Sequence, residues 1–218
     1  MNSKLSKILL SAIVFSLLSA CATNIAGRKQ VMLVSESKAI ESSKQAYINT
    51  LEPFKQKGQL DSNPDMVNRV NRITARLITE AKKMRSKTKN WEWSVKIIDD
   101  PETINAWCMA GGKMAIYTGL INQLEATDDE IAQVMGHEIS HALANHTAER
   151  MSVAMASDLA VNLYKSAIGD STGTSSLATA AAQIALKLPN SRTSESEADK
   201  IGIELAAKAG YNPNAAVT

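Results

Sequence analysis

Residues 135–150 read MGHEISHALANHTAER and hold all three histidines of a 218-residue chain. The segment before them opens a helix. Thr127 with Glu130 three residues later fits a capping box, and Asp128 and Asp129 sit in the first turn, where negative charge opposes the positive end of the helix dipole. Ile131, Val134, Met135, Ile139, Ala142 and Leu143 then recur at the three- and four-residue steps of a buried stripe. At about 100° per residue, His137 and His141 lie together on the flank of that stripe. Residues four apart have Cβ atoms about 6 Å apart, so two imidazoles can converge on one zinc ion at about 2.1 Å each. Glu138 projects beside them, within reach of a water on that metal, so one helical turn offers two ligands and a general base. The alternative at this point is a pair of helix-surface histidines beside a solvated glutamate.

The third ligand separates the classes of His-Glu-x-x-His zinc sites. A glycine at 144 and a histidine at 147 would mark the metzincin pattern, and this chain has Ala144 and Thr147. His146 is five residues beyond His141, roughly 140° around a continuing helix, and reads as a surface histidine. A later stretch, Ser191-Arg192-Thr193-Ser194-Glu195-Ser196-Glu197-Ala198-Asp199, offers carboxylates instead. Glu195 and Asp199 are four apart and share a face, suiting a metal ligand and an acceptor for the outer N–H of a ligating imidazole, while Glu197 points nearly the opposite way. A solvated acidic helix start is the competing reading of this stretch.

At the other end, Lys4 and Lys7 precede the apolar run from Ile8 to Leu18, too short for a mature membrane span and suited to a signal-peptide core over residues 1–20. Leu18-Ser19-Ala20-Cys21 resembles a bacterial lipobox, which makes Cys21 the lipid-bearing first residue of the mature chain. Ala22 follows, and the resemblance to enterobacterial lipoproteins favours the outer membrane, with the body facing the periplasm. Residues 21–34 then form a tether and 35–218 one domain, the remaining length being too small for two comfortable cores. With 44% hydrophobic and 21% charged residues and a net charge of +2, the composition is globular and carries no nucleic-acid footprint. Cys108, unpaired if Cys21 is acylated, is expected to be buried.

The element order is α+β. Ser35 opens a first helix that Pro53 stops, and Asn63-Pro64 caps a second through Met66, Val70, Ile73, Leu77, Ala81 and Met84. Trp91 to Ile97 alternates as a strand, and after Gly111-Gly112 a second strand runs from Lys113 to Thr118. Gly169 to Ser176 is a polar, glycine- and serine-rich loop, read as a connector or as a lid over the cleft. Asn212-Pro213 looks like the start of a helix that the chain is expected to continue beyond Thr218.

Taken in order, Asn105-Ala106-Trp107, Gly111-Gly112-Lys113, Tyr117-Thr118-Gly119-Leu120, Gly136-His137-Glu138-Ile139-Ser140-His141 and Ser191-Arg192 through Glu195, Ala198, Asp199 and Gly202 resemble the HtpX and CAAX-prenyl-protease family of gluzincin metallopeptidases. The likeness is strongest to its short periplasmic lipoprotein branch. It implies a mainly helical α+β zincin domain, one Zn2+ held by His137, His141 and Glu195, Glu138 as base and Asp199 behind a ligand. It also implies an edge strand along the cleft, formed by Lys113, Met114, Ala115, Ile116, Tyr117 and Thr118, to which an extended substrate adds by backbone hydrogen bonds. Unfolded or misassembled envelope proteins are the substrates so implied, with an outer-membrane assembly partner. Ala110, where relatives often carry proline, and Cys108 depart from the pattern. A zinc-stabilised binding lipoprotein that holds strands without cutting them is the rival function, and a purely structural zinc a third.

Overall fold

The computed structural model describes residues 21–168 and 191–217, with side chains described to residue 157 in the first span and residue 216 in the second. The predicted signal peptide and the loop at 169–176 lie outside these residues. The elements are β1 (Cys21–Thr23), β2 (Lys29–Val31), α1 (Glu36–Gln56), α2 (Pro64–Met84), a 3-10 turn (Ser86–Asn90), β3 (Ser94–Ile98), β4 (Ala106–Met109), β5 (Lys113–Tyr117), α3 (Thr118–Gln123), α4 (Asp128–Leu143), α5 (His146–Ile168), α6 (Arg192–Lys208) and a closing 3-10 turn (Pro213–Val217). This is an α+β arrangement dominated by helix. Among the described residues no helix is long and apolar enough to cross a membrane.

The central layer is a three-stranded sheet ordered β3-β5-β4, with β3 parallel and β4 antiparallel to β5. It is covered on both faces, and β4 and the middle of β5 are accordingly apolar without alternation of polarity, whereas β3 keeps the alternating Ser94 and Lys96. Ile97, Ala106, Cys108, Met114 and Ile116 join one core with α2, α4 and α6; Ile98, Trp107, Met109 and Ala115 join a second core with α1 and the start of α5. The β4–β5 hairpin turns through Gly111 and Gly112, both at positive φ, and a Cβ on Gly112 would lie 2.3 Å from the Trp93 ring. Only glycine fits there.

This order corrects the sequence reading of the substrate strand. Lys113 to Tyr117 is the middle strand, with partners on both sides, and Thr118 begins α3. The edge beside the His-Glu-x-x-His helix is β4. It escaped detection because Ala106 to Met109 is four residues long and buried throughout, which leaves no polar–apolar alternation to read. Two further boundaries shift. Pro53 lies inside α1, where the carbonyl it deprives of a donor belongs to exposed Asn49 and the Phe54 ring packs edge-on against Tyr117. Residues 21–34, read as a tether, contain an antiparallel hairpin, β1 with β2, fastened to the α4–α5 corner: Gln30 is buried and its Nε2 donates to the Ala144 carbonyl at 2.9 Å.

α4 and α6 meet backbone to backbone. A Cβ on Gly202 would stand 2.8 Å from the His137 nitrogen, and one on Gly136 would stand 3.0 Å from the Gly202 oxygen. Gly202→Ala gains about 1 kcal/mol of helix propensity, but main chain cannot rotate away, and overpacking of this kind costs about 1–3 kcal/mol. A net loss of up to about 2 kcal/mol in urea-unfolding free energy is expected; a gain approaching the full ~1 kcal/mol of helix propensity would mean that the two helices separate freely.

Candidate metal centre

Thr127 and Glu130 form the capping box that starts α4: the Thr127 amide donates to Glu130 Oε2 at 2.7 Å, and the Glu130 amide to Thr127 Oγ1 at 3.3 Å. The buried stripe of Ile131, Met135, Ile139, Ala142 and Leu143 fixes the rotation of the helix. His137 and His141 are thereby aimed at α6, and the close crossing at Gly202 brings Glu195 opposite them. His137 Nε2 and His141 Nε2 are 3.0 Å apart, and Glu195 lies 3.3 Å from the first through Oε2 and 3.5 Å from the second through Oε1. Among the described residues these three form the group of donors close enough to share an ion.

The donor set fits zinc. Bonds of about 2.1 Å at tetrahedral angles put ligand atoms about 3.4 Å apart, the spacing observed. Two imidazole nitrogens face one another with a carboxylate beside them; a hydrogen bond between the rings satisfies one lone pair, whereas a cation satisfies all three groups. Burial first, then the neighbouring His137, His146 and Arg150, pushes His141 down to about 2, so its ring is neutral and can ligate. His137 Nδ1 is 2.8 Å from Asp199 Oδ1, the partner that fixes the ring with Nε2 towards the site.

Glu138 is tucked between α4 and β4. Burial pushes its carboxyl up to about 7, with the charge of Glu195 adding to the rise, while His137, Arg150 and a hydrogen bond from the Cys108 backbone hold it back. That bond shows the Cys108 N–H turned away from β5. The edge of β4 that no strand pairs among the described residues therefore faces the metal centre. Cys108 itself is buried and unpaired, and burial raises its thiol pKa well above the ordinary value.

Three groups that the sequence reading missed or misplaced complete the surroundings. His146 is fully buried, not on the surface, because the helix does not continue: α4 ends at Leu143, Asn145 adopts φ +59°, and α5 starts anew at His146. The ring folds back until its Nδ1 is 2.8 Å from His141 Nδ1. Glu197, read only as pointing away from Glu195 and Asp199, faces the other side of this pair, its Oε2 2.9 Å from His146 Nε2. Arg150, one turn along α5, is half-buried with Glu138 and Glu195 acting on its charge; desolvation lowers its pKa. Asparagine, the non-glycine residue that most readily takes a left-handed conformation, was the available signal at 145. Beside His137 and Asp199 opens a cavity of about 580 Å³ whose walls include Leu120, Leu124, Val134 and Ile203.

Residues 61–218, more than half of the chain, match Peptidase family M48. The chain belongs to that family. It is 39% identical to the mitochondrial metalloendopeptidase OMA1 of Arabidopsis thaliana over 58% of this chain and 24% of that protein. Human mitochondrial metalloendopeptidase OMA1 is 31% identical over 85% of this chain and 36% of its own length, and the metalloprotease YcaL of Escherichia coli K12 28% identical over 71% and 60%. The chain thus spans less than two thirds of each of these relatives. Membership places this domain among the peptidases of family M48, implies a metal and gives the candidate centre a hydrolytic context.

The Glu138 environment gives a prediction for the metal-free M48 domain. Its carboxyl takes up a proton near pH 7 when folded and near its ordinary 4.5 when unfolded. The folded state then binds the proton more tightly, so the charged group opposes folding above pH 7, and this cost fades as pH falls towards 4.5. A difference of that size is on the order of 3 kcal/mol. Glu138→Gln should raise the urea-unfolding free energy of chelator-treated protein by about 1–3 kcal/mol at pH 8 and change it by under about 0.5 kcal/mol at pH 4. An equal gain at both pH values would show that burial of the charge is not its source.

Proposed function

We propose that this chain is a zinc-dependent endopeptidase of the bacterial envelope that cuts unfolded or misassembled membrane and periplasmic proteins. The observation that carries the reading is Glu138, a half-buried carboxyl with a raised pKa beside the triad of His137, His141 and Glu195. Holding a ligand needs no such base; hydrolysing a peptide bond does. A carboxylate third ligand from a later helix is the gluzincin arrangement, and the narrower likeness to the HtpX and CAAX-prenyl-protease lipoprotein branch belongs to this reading.

Zinc, when bound, supplies Lewis-acid polarisation of the scissile carbonyl and lowers the pKa of water at its open position. His137, His141 and Glu195 hold it, and Asp199 accepts the Nδ1–H of His137. Glu138 takes a proton from the attacking water and delivers it to the leaving amine. Arg150, whose charge interacts with both carboxylates of the centre, counters the negative charge that develops on the carbonyl oxygen. The substrate lies extended along β4, in place of the strand expected at 113–118, and pairs through main-chain groups, which gives affinity with little sequence preference. The apolar walls of the neighbouring cavity suit an apolar side chain next to the cleaved bond.

The anchor completes the proposal: Cys21 carries lipid in the outer membrane, the domain faces the periplasm, and an assembly partner there presents unfolded chains. The test is cleavage of unfolded casein by the zinc-loaded full chain in detergent, beside Glu138→Gln. The substituted protein should bind zinc one to one and cut about 10²–10⁴-fold more slowly. If neither protein cuts although both hold zinc, the chain is instead a strand-binding lipoprotein.

A further inference from the structure

The metal ligand His141 is not held as His137 is. His137 leans on Asp199, whose side chain is 64% exposed, whereas behind His141 runs a chain of contacts that starts in the buried interior and reaches the partly exposed Arg28. His141 Nδ1 is 2.8 Å from His146 Nδ1, His146 Nε2 is 2.9 Å from Glu197 Oε2, and the His146 side chain is 0% exposed. Glu197 is gripped in turn from the N-terminal hairpin: Arg28 Nε donates to Oε1 at 2.6 Å and Asn24 Nδ2 to Oε2 at 2.8 Å. The other edge of the Arg28 guanidinium makes a two-toothed contact with Glu149, at 2.6 and 2.7 Å.

With two neutral rings, one arrangement of protons satisfies every contact behind His141. His146 Nε2 faces a carboxylate, which only accepts, so that nitrogen carries the hydrogen. His146 Nδ1 is then bare and accepts, so His141 Nδ1 carries the second hydrogen and donates. His141 Nε2 is left bare, facing Glu195 and His137. The reverse arrangement sets the bare Nε2 of His146 against Glu197 and places a hydrogen where the metal binds. The Glu197 carboxylate, two contacts away, thus selects the ligating form of His141.

We propose that the N-terminal hairpin is part of the metal centre, Arg28 acting through Glu197 and His146 as positioning residues that hold His141 in its zinc-binding tautomer. The segment that supplies Arg28 and Asn24 lies outside the stretch matching the peptidase family, which begins at residue 61. The inference rests on the reading that His137, His141 and Glu195 bind zinc, but not on turnover.

The test is zinc affinity of the folded full chain in detergent, measured by competition with a chromophoric chelator. Arg28→Ala should weaken binding by about tenfold and His146→Leu by up to about 100-fold, the range seen when outer partners of metal ligands are removed. His146→Asn, which keeps an acceptor near the Nδ1 position, should restore most of the loss. Gln30→Ala is the control: it removes the bonds to the Ala144 carbonyl and to Glu149 Oε2 and loosens the hairpin, but leaves Arg28 both of its carboxylates and its contact with Glu197, and should lower thermal stability while keeping zinc affinity within about twofold. Wild-type affinity in Arg28→Ala overturns the inference, as does an equal loss in Gln30→Ala, which would make hairpin docking in general the cause. Should His146→Leu fail to fold, the Arg28 and Gln30 pair decides alone. If the unsubstituted chain binds no zinc, the reading of the centre falls along with this one; if it binds and Arg28→Ala matches it, only this one falls.

Discussion

The approach of α4 to α6 at Gly136 and Gly202 is the constraint from which the rest of the structure follows. With main chain against main chain, Glu195, one helical turn before Ala198 and nearly two before Gly202, is brought level with two histidines on the facing helix. A pair of alanines would set the axes further apart and leave the carboxylate short of the imidazoles. The metal centre is therefore a property of a helix crossing, and the donor residues are its visible part.

The sheet serves that crossing from the other side. Its middle strand, β5, is tied on both edges and packs residues into two cores, which makes it a rigid spine. Among the described residues β4 is paired along one edge only. The free edge meets α4 at Glu138, so the base and the main-chain donors beside it share one support. Rigid backing with one unpaired row of backbone groups is what recognition of an extended chain requires.

Much of this was legible in the sequence because it is local. The capping box at Thr127, the asparagine cap at Asn63 and the four-residue spacings of His137 with His141 and of Glu195 with Asp199 are short-range rules, and each appears in the structure as geometry. The misreadings share a different cause. His146 was projected around a helix that stops three residues earlier, and the edge strand was sought where polarity alternates, not where burial is complete. Glu197 was given no role because it points away from Glu195 and Asp199, and its own helix says nothing about what packs on that face. Arg28 stands more than a hundred residues from both carboxylates it binds, and no periodicity reports such a contact.

His141 and Glu195 stand at either end of a long stretch of chain, so an ion shared between them is also a cross-link. Closing a loop of about 50 residues removes conformational freedom from the unfolded chain worth on the order of 4 kcal/mol in a chain-entropy treatment. The ion would thus staple α4 to α6 much as a disulfide does, yet reversibly and at the mercy of any competing chelator. A chain built this way couples its lifetime as a folded protein to the metal content of its compartment.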